Sequence, residues 1–280
     1  MNIVLAHGIL GFNKIPVLGV EYFNGVKAHL EEAFRAKVLV TKVSPIGSIA
    51  ERAAQLQAQI DAALGGVDGL NPAEKVNIIA HSMGGLDARQ MLSDNLGGIA
   101  DSVATLTTVG TPHLGSPVAD LVYSPLDGQV GIPVIGHVFD TLEKKAEQAL
   151  SDLDITNGLR DLTTDSMKAF NQAYPDNSKV KYFCVAGKGR GNPLAETCLL
   201  LLPAHAYMRL KTEPGEPNDG VVALSSAYRD GWEVIGEPWP FDHFEEVGHN
   251  LDTGLDVKQK ASFHFGLYDQ IVVRLQLGGY

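Results

Sequence analysis

Val76-Asn77-Ile78-Ile79-Ala80-His81-Ser82-Met83-Gly84-Gly85 decides how the rest of the chain is read. The run up to His81 is apolar and rich in branched residues, the pattern of a buried strand, and it stops at a serine flanked by small residues. A helical pattern follows at once. Strand, sharp turn and helix describe an elbow in which the serine backbone is strained and small neighbours let strand and helix approach closely enough to lift Oγ clear. Gly84 fills one small position. Ala80 fills the other, where the usual G-x-S-x-G pattern has glycine, and adds one methyl group. Ser82 is therefore a candidate nucleophile, and the competing expectation is a serine N-cap at an ordinary strand-to-helix junction.

Upstream, Asn2-Ile3-Val4-Leu5-Ala6 reads as the first strand and ends in His7-Gly8-Ile9-Leu10-Gly11-Phe12, a loop bracketed by glycines. With a nucleophile at Ser82, the backbone amides of Ile9 and Met83 become the candidate oxyanion donors; without it, the loop is a plain turn. Residues 22–34 carry apolar positions at helical spacing, residues 38–40 form a short strand, and Ser48-Ile49-Ala50-Glu51 fits a capping box opening a helix that Gly65 ends. Residues 103–109 are strand-like and stop at Gly110-Thr111-Pro112-His113-Leu114-Gly115-Ser116. Alternating strands and helices imply right-handed crossovers and a mostly parallel sheet covered on both faces.

The alternation breaks over residues 118–160, where Pro125, Gly128, Gly131 and Pro133 precede apolar residues without a strand pattern. A helical lid that closes over the site is the expectation there, against a helical pair packed permanently on the core. Helix is predicted over 161–174 and strand over 180–185. Trp232 to Ile235 gives a last strand signal before Asp242-His243-Phe244-Glu245-Glu246, and a closing helix runs through Phe263 and Leu275.

Composition bounds the function. The 280 residues, 45% hydrophobic and 20% charged, suit one α/β domain over residues 1–280. A net charge of −11 argues against nucleic acid as a partner. No run is long and apolar enough to predict a transmembrane segment, and the N-terminus lacks the basic and cleavage features of a signal peptide. The expectation is a cytoplasmic protein or one exported without a cleaved signal. Cys184 and Cys198 permit one bridge or two thiols.

A serine hydroxyl needs a neutral imidazole to take its proton and a carboxylate to fix the imidazole tautomer. In α/β-hydrolases these follow in the order serine, acid, histidine, each on a loop at a strand's carboxyl end. Among nine histidines, His243 fits that order best and His249 is its nearest competitor, His249 and His264 being expected in helices. Asp219, in Pro217-Asn218-Asp219-Gly220, leads for the acid and Glu216 is second.

Taken together, His7-Gly8-Ile9-Leu10-Gly11-Phe12, Tyr22-Phe23-Asn24-Gly25, Ala80 to Gly85, Gly110 to Ser116, Asn218 to Val222 and Asp242 to Glu246 resemble the bacterial triacylglycerol lipases of the Pseudomonas, Burkholderia and Proteus group. The similarity runs over nearly the whole length. It implies an α/β-hydrolase fold, Ser82, Asp219 and His243 as the catalytic triad, Ile9 and Met83 as oxyanion donors, a helical lid, and fatty-acyl ester substrates met at a lipid–water interface. Many members of that family hold a structural calcium through two aspartates, whose positions fall here on Leu202 and Glu245. Leucine cannot ligate a hard cation, so no metal and no other cofactor is expected. The rivals are an esterase or thioesterase for short soluble substrates and a lipid-binding protein without catalysis.

Overall fold

A computed structural model describes residues 1–9, 14–15, 20–66, 69–123, 156–189, 201–249 and 257–280. Its strands are β1 (Asn2–Ala6), β2 (Lys14–Ile15), β3 (Val20–Glu21), β4 (Lys37–Val40), β5 (Val76–His81), β6 (Val103–Val109), β7 (Lys181–Val185) and β8 (Glu233–Val234). The helices are α1 (Val26–Phe34), α2 (Ile49–Leu64), α3 (Met83–Ser93), α4 (Pro117–Tyr123), α5 (Thr156–Asp161), α6 (Thr164–Ala173), α7 (Leu202–Lys211), α8 (Leu224–Ala227) and α9 (Val257–Leu277).

Six strands make one parallel sheet in the order β4-β1-β5-β6-β7-β8. The chain leaves β1 toward β4 on one side and returns to β5 on the other. Between β1 and β5 the crossovers therefore diverge, and the crevice at their carboxyl ends is the switch point where α/β sheets bind ligands. The register Asn2↔Val76 through Ala6↔Ala80 brings the His7-Gly8-Ile9 loop out beside Ser82.

Period-two alternation divides the core between the two faces. Val4, Ala6, Ile78 and Ala80 pack with Ala53, Leu56 and Ile60 of α2 and Ala88, Met91 and Leu92 of α3. Ile3, Leu5 and Ile79 face the other way, onto Val26 and Leu30 of α1 and Tyr268, Ile271 and Leu275 of α9. β1 and β5 are thus buried on both faces, which is why they read as apolar runs.

The local expectations fare unevenly. Ser48 caps α2 by accepting from the Glu51 amide at 3.3 Å, and Gly65 closes it, as expected. The helix predicted over 22–34 starts only at Val26, because Gly25 at φ 71° holds the chain outside the right-handed region. The helix predicted over 161–174 starts only at Thr164, as α6, with Thr163 capping it through the Ser166 amide, while Asp161 ends α5. His249 lies on a loop rather than in a helix, its ring bonded to the Tyr22 carbonyl at 2.9 Å, while His264 does lie in α9. The β2–β3 ribbon was not anticipated. Most of the expected lid, Cys198, and residues 10–13 of the first loop fall outside the described residues. Cys184 is a buried free thiol.

Candidate active site

Ser82 sits at φ 56° and ψ −132°, a region that costs an L-residue energy and is held only by surroundings that over-determine it. Those surroundings are visible. The Ser82 amide donates to the Val109 carbonyl at 2.9 Å, and its carbonyl accepts from Thr111 Oγ at 2.7 Å. A methyl group on Gly84 would lie 2.6 Å from the Ala6 carbonyl oxygen, so helix α3 starts as near to β1 as a glycine permits. Ala80 is fully buried in the core between sheet and helices, and its extra methyl is accommodated there. Although Ser82 occupies the N-cap position of α3, its side chain caps nothing. The hydroxyl goes to His243 instead.

His243 Nε2 lies 2.9 Å from Ser82 Oγ, and His243 Nδ1 lies 2.8 Å from Asp219 Oδ2. Three side chains from distant parts of the chain thus form one hydrogen-bonded line. Asp219 is anchored by its other oxygen, which accepts from the amides of Val221 at 2.8 Å and Val222 at 2.6 Å. The His243 amide donates to the Asp219 carbonyl at 3.0 Å, tying the two loops together. Upstream of His243, the chain runs beside the extension of β7, where Lys188 and Gly189 donate to the carbonyls of Trp239 and Phe241. Of the competitors, Glu216 accepts from the Ser225 amide at the surface, and His249 faces Tyr22.

The first loop abuts the nucleophile: a methyl on Gly8 would lie 2.7 Å from Ser82 Cβ. Its backbone is held on every side. His7 Nδ1 donates to the Gly8 carbonyl at 2.9 Å, which fixes the peptide carrying the Ile9 amide, and its Nε2 accepts from the Val43 amide. Burial, with Arg52 nearby, lowers the His7 imidazole to about 4, so the ring is neutral as this pattern requires. Arg52 is fully buried on α2 and donates to the His7 carbonyl at 2.7 Å and to Asp87 Oδ2 at 2.9 Å through Nε. Burial outweighs that pairing at Asp87, whose carboxyl is pushed up to about 6.

Glu246 was not singled out from sequence. It is fully buried one helical turn beyond His243, its Oε2 lying 2.9 Å from His81 Nε2 and 3.7 Å from His243 Nδ1. Ligand atoms of His81, His243 and Glu246 approach within 4.8 Å of one another, but a cation there would take the imidazole that serves Ser82. The Glu245 carboxylate accepts from the Asp242 amide at 3.3 Å. Among the described residues, no helix is long and apolar enough to cross a membrane.

Residues 46–186 match the family described as PGAP1-like alpha/beta domain. A triacylglycerol lipase of Vibrio cholerae is 30% identical over 264 residues, 88% of this chain and 78% of that protein. One of Pseudomonas fragi is 32% identical over 273 residues, 88% and 87% of the two chains. Among solved structures, the mature Bacillus licheniformis lipase BlEst2 superposes with a TM-score of 0.69 at 22% identity, covering 96% of this chain and 91% of that one. Staphylococcus hyicus lipase gives 0.69 at 18% identity over 100% and 97%. These two show the shared fold. The yeast triacylglycerol lipase 2 also matches, at 33% identity over 82% of this chain, so the kinship is not confined to the Pseudomonas, Burkholderia and Proteus group. The chain belongs to the triacylglycerol lipase family of α/β-hydrolases, and with its serine–histidine–aspartate line it is a carboxylic ester hydrolase.

Proposed function

We propose that the protein is a lipase that hydrolyses triacylglycerol or other fatty-acyl esters at a lipid–water interface through an acyl-enzyme. The observation that carries the chemistry is the 2.9 Å approach of His243 Nε2 to Ser82 Oγ. Ser82 attacks the ester carbonyl carbon while His243 takes the hydroxyl proton. Asp219 keeps the Nδ1–H tautomer in place and offsets the charge of the imidazolium. The tetrahedral oxyanion is held by the amides of Ile9 and Met83. His243 then protonates the leaving alcohol, and a water activated by the same ring releases the fatty acid. Kinship with the Vibrio cholerae and Pseudomonas fragi proteins, each described as a triacylglycerol lipase, supports the substrate class.

In this reading residues 1–280 form one catalytic domain, and the insertion over 118–160 is its lid. No calcium is required, because one of the two acidic positions is a leucine and the Glu245 carboxylate is turned to the Asp242 amide. Chelation by EDTA should leave both rate and melting temperature unchanged; loss of either, restored by calcium, refutes this. Substrate class is tested by rates on p-nitrophenyl esters and emulsified triglycerides of increasing chain length. A lipase accelerates when substrate passes its solubility limit and retains activity on long chains. Activity confined to short, dissolved esters would make it an esterase.

A further inference from the structure

Behind the triad runs a second, partly buried hydrogen-bonded line that the reaction steps above do not use. The Gly8 amide donates to Tyr22 Oη at 3.1 Å, Tyr22 Oη meets His81 Nδ1 at 2.7 Å, and His81 Nε2 meets Glu246 Oε2 at 2.9 Å. One arrangement leaves every donor matched. The phenol accepts from Gly8 and gives its own proton to Nδ1, so the neutral His81 carries its proton on Nε2 and donates it to Glu246. Burial and the adjacent His243 hold the His81 imidazole well below its ordinary range, which keeps the ring in that neutral form.

The fold makes room for the carboxyl at the end of this line. A methyl on Gly110 or on Gly187 would strike the Glu246 carboxylate, so two separate strand ends are kept bare around it. Tyr268 Oη fixes the same residue by donating to its carbonyl at 3.0 Å. At the other end stands Gly8, packed so tightly on Ser82 that a small shift of the loop changes the distance of the next amide from the reacting carbonyl. Oxyanion donors act over a window of a few tenths of an ångström.

We propose that Tyr22 is a positioning residue for ester hydrolysis: its hydroxyl, held by His81 and through it by Glu246, fastens Gly8 and so aims the Ile9 amide at the oxyanion. The inference rests on the assignment of Ile9 as an oxyanion donor. Tyr22 is bonded to the Gly8 amide and to His81. Its effect is on the loop, in the step where negative charge gathers on the carbonyl oxygen.

Tyr22→Phe removes the hydroxyl and keeps the ring. On a dissolved short p-nitrophenyl ester, kcat should fall roughly 10- to 100-fold, less than removal of an oxyanion donor outright, with KM within about twofold of wild type. Hydrogen exchange at the Gly8 amide, followed by mass spectrometry, should quicken in the same variant. An unchanged kcat, or a loss confined to KM, overturns the proposal. Glu246→Gln should lower kcat in the wild-type background and have no further effect in the Tyr22→Phe background. An equal factor in both backgrounds, or none in the wild type, overturns Glu246's part in the line. A wild-type protein that neither hydrolyses esters nor is labelled at Ser82 by a fluorophosphonate would refute the hydrolase reading instead, which separates the two failures.

Discussion

The two sides of the site are built by different means. On one side, Ser82 is placed by regular structure: a strand, a strained residue and a helix in unbroken succession, locked by backbone contacts at Val109 and Ala6 and by the Thr111 hydroxyl. On the other, Asp219 and His243 stand on irregular loops whose shape is written by side chains. Asp219 accepts from two amides ahead of it, and Asp242 Oδ1 does the same for Phe244 and Glu245, each at 2.9 Å. A nucleophile must be presented in one strained pose, so its support is the sheet itself. Acid and base need only a distance and a ring orientation, which short polar turns supply.

The largest effect should come from the nucleophile. Ser82→Ala should lower kcat by at least three orders of magnitude, about 10⁶ where such triads have been dissected, with the melting curve unchanged. Near wild-type turnover would end the covalent mechanism. Asp219→Asn tests the loop side alone. The amide oxygen can still accept from Val221 and Val222, so the turn persists, while the NH₂ now facing His243 forces the wrong tautomer. A fall in kcat of about 10³ to 10⁴ with an intact fold is expected, read by kinetics beside circular dichroism.

Gly84→Val attacks the elbow where it is tightest. Its added carbons meet backbone oxygens of Ala6 and His7, which cannot move without dragging β1, so stability should drop by about 3 kcal/mol and kcat by about 10². A variant that lost activity but kept its melting temperature would mean that the elbow and the sheet are less tightly joined than these contacts imply.

How far this was legible follows the same division. The elbow was read directly, because strand period, small neighbours and helix onset lie within ten consecutive residues. Asp219 and His243 were reached only through their order along the chain, since an aspartate before glycine is an ordinary turn and nine histidines compete. Tyr22 and Glu246 lay in stretches that carry the resemblance, but nothing local to them or to Arg52 pointed to a role. Each acts through partners far along the chain, as His81 and Glu246 do across 165 residues, and no periodicity encodes such a contact. Misplacing His249 in a helix had a similar cause: Gly248 at φ 86° ends the short turn after His243 and sends the next residue to Tyr22.

Acid should find the two sides unequal. His7, His81 and His113 sit buried and neutral on the nucleophile side, with His205 and His249 beyond it, and burial lowers all five. A lowered folded-state value means that the unfolded chain binds the proton first, so stability is full above about pH 6.5 and declines as pH falls toward 4. For His7 alone, lowered to about 4, the eventual loss is about 3 kcal/mol. Asp87, Asp161 and Glu246, raised by burial, act in the opposite sense and gain stability as they take up protons. Melting temperature should therefore begin to fall just below pH 6.5. A flat or rising curve down to pH 5 would mean that the raised carboxyls outweigh the histidines.

The smallest effect isolates the scaffold. Ser48 caps α2, and Arg52 one turn later donates to the His7 carbonyl behind the loop that follows β1. Ser48→Ala removes one of two acceptors at that helix start; the other, Asp161 Oδ2, still takes the Ile49 amide at 2.9 Å. The loss should be about 1 kcal/mol, with kcat unchanged, because Arg52 is held independently by Asp87 and the Ser44 carbonyl. If kcat falls with the cap, the regular side of the site is less rigid than its hydrogen bonds suggest. The contrast with the loop side would then be one of degree.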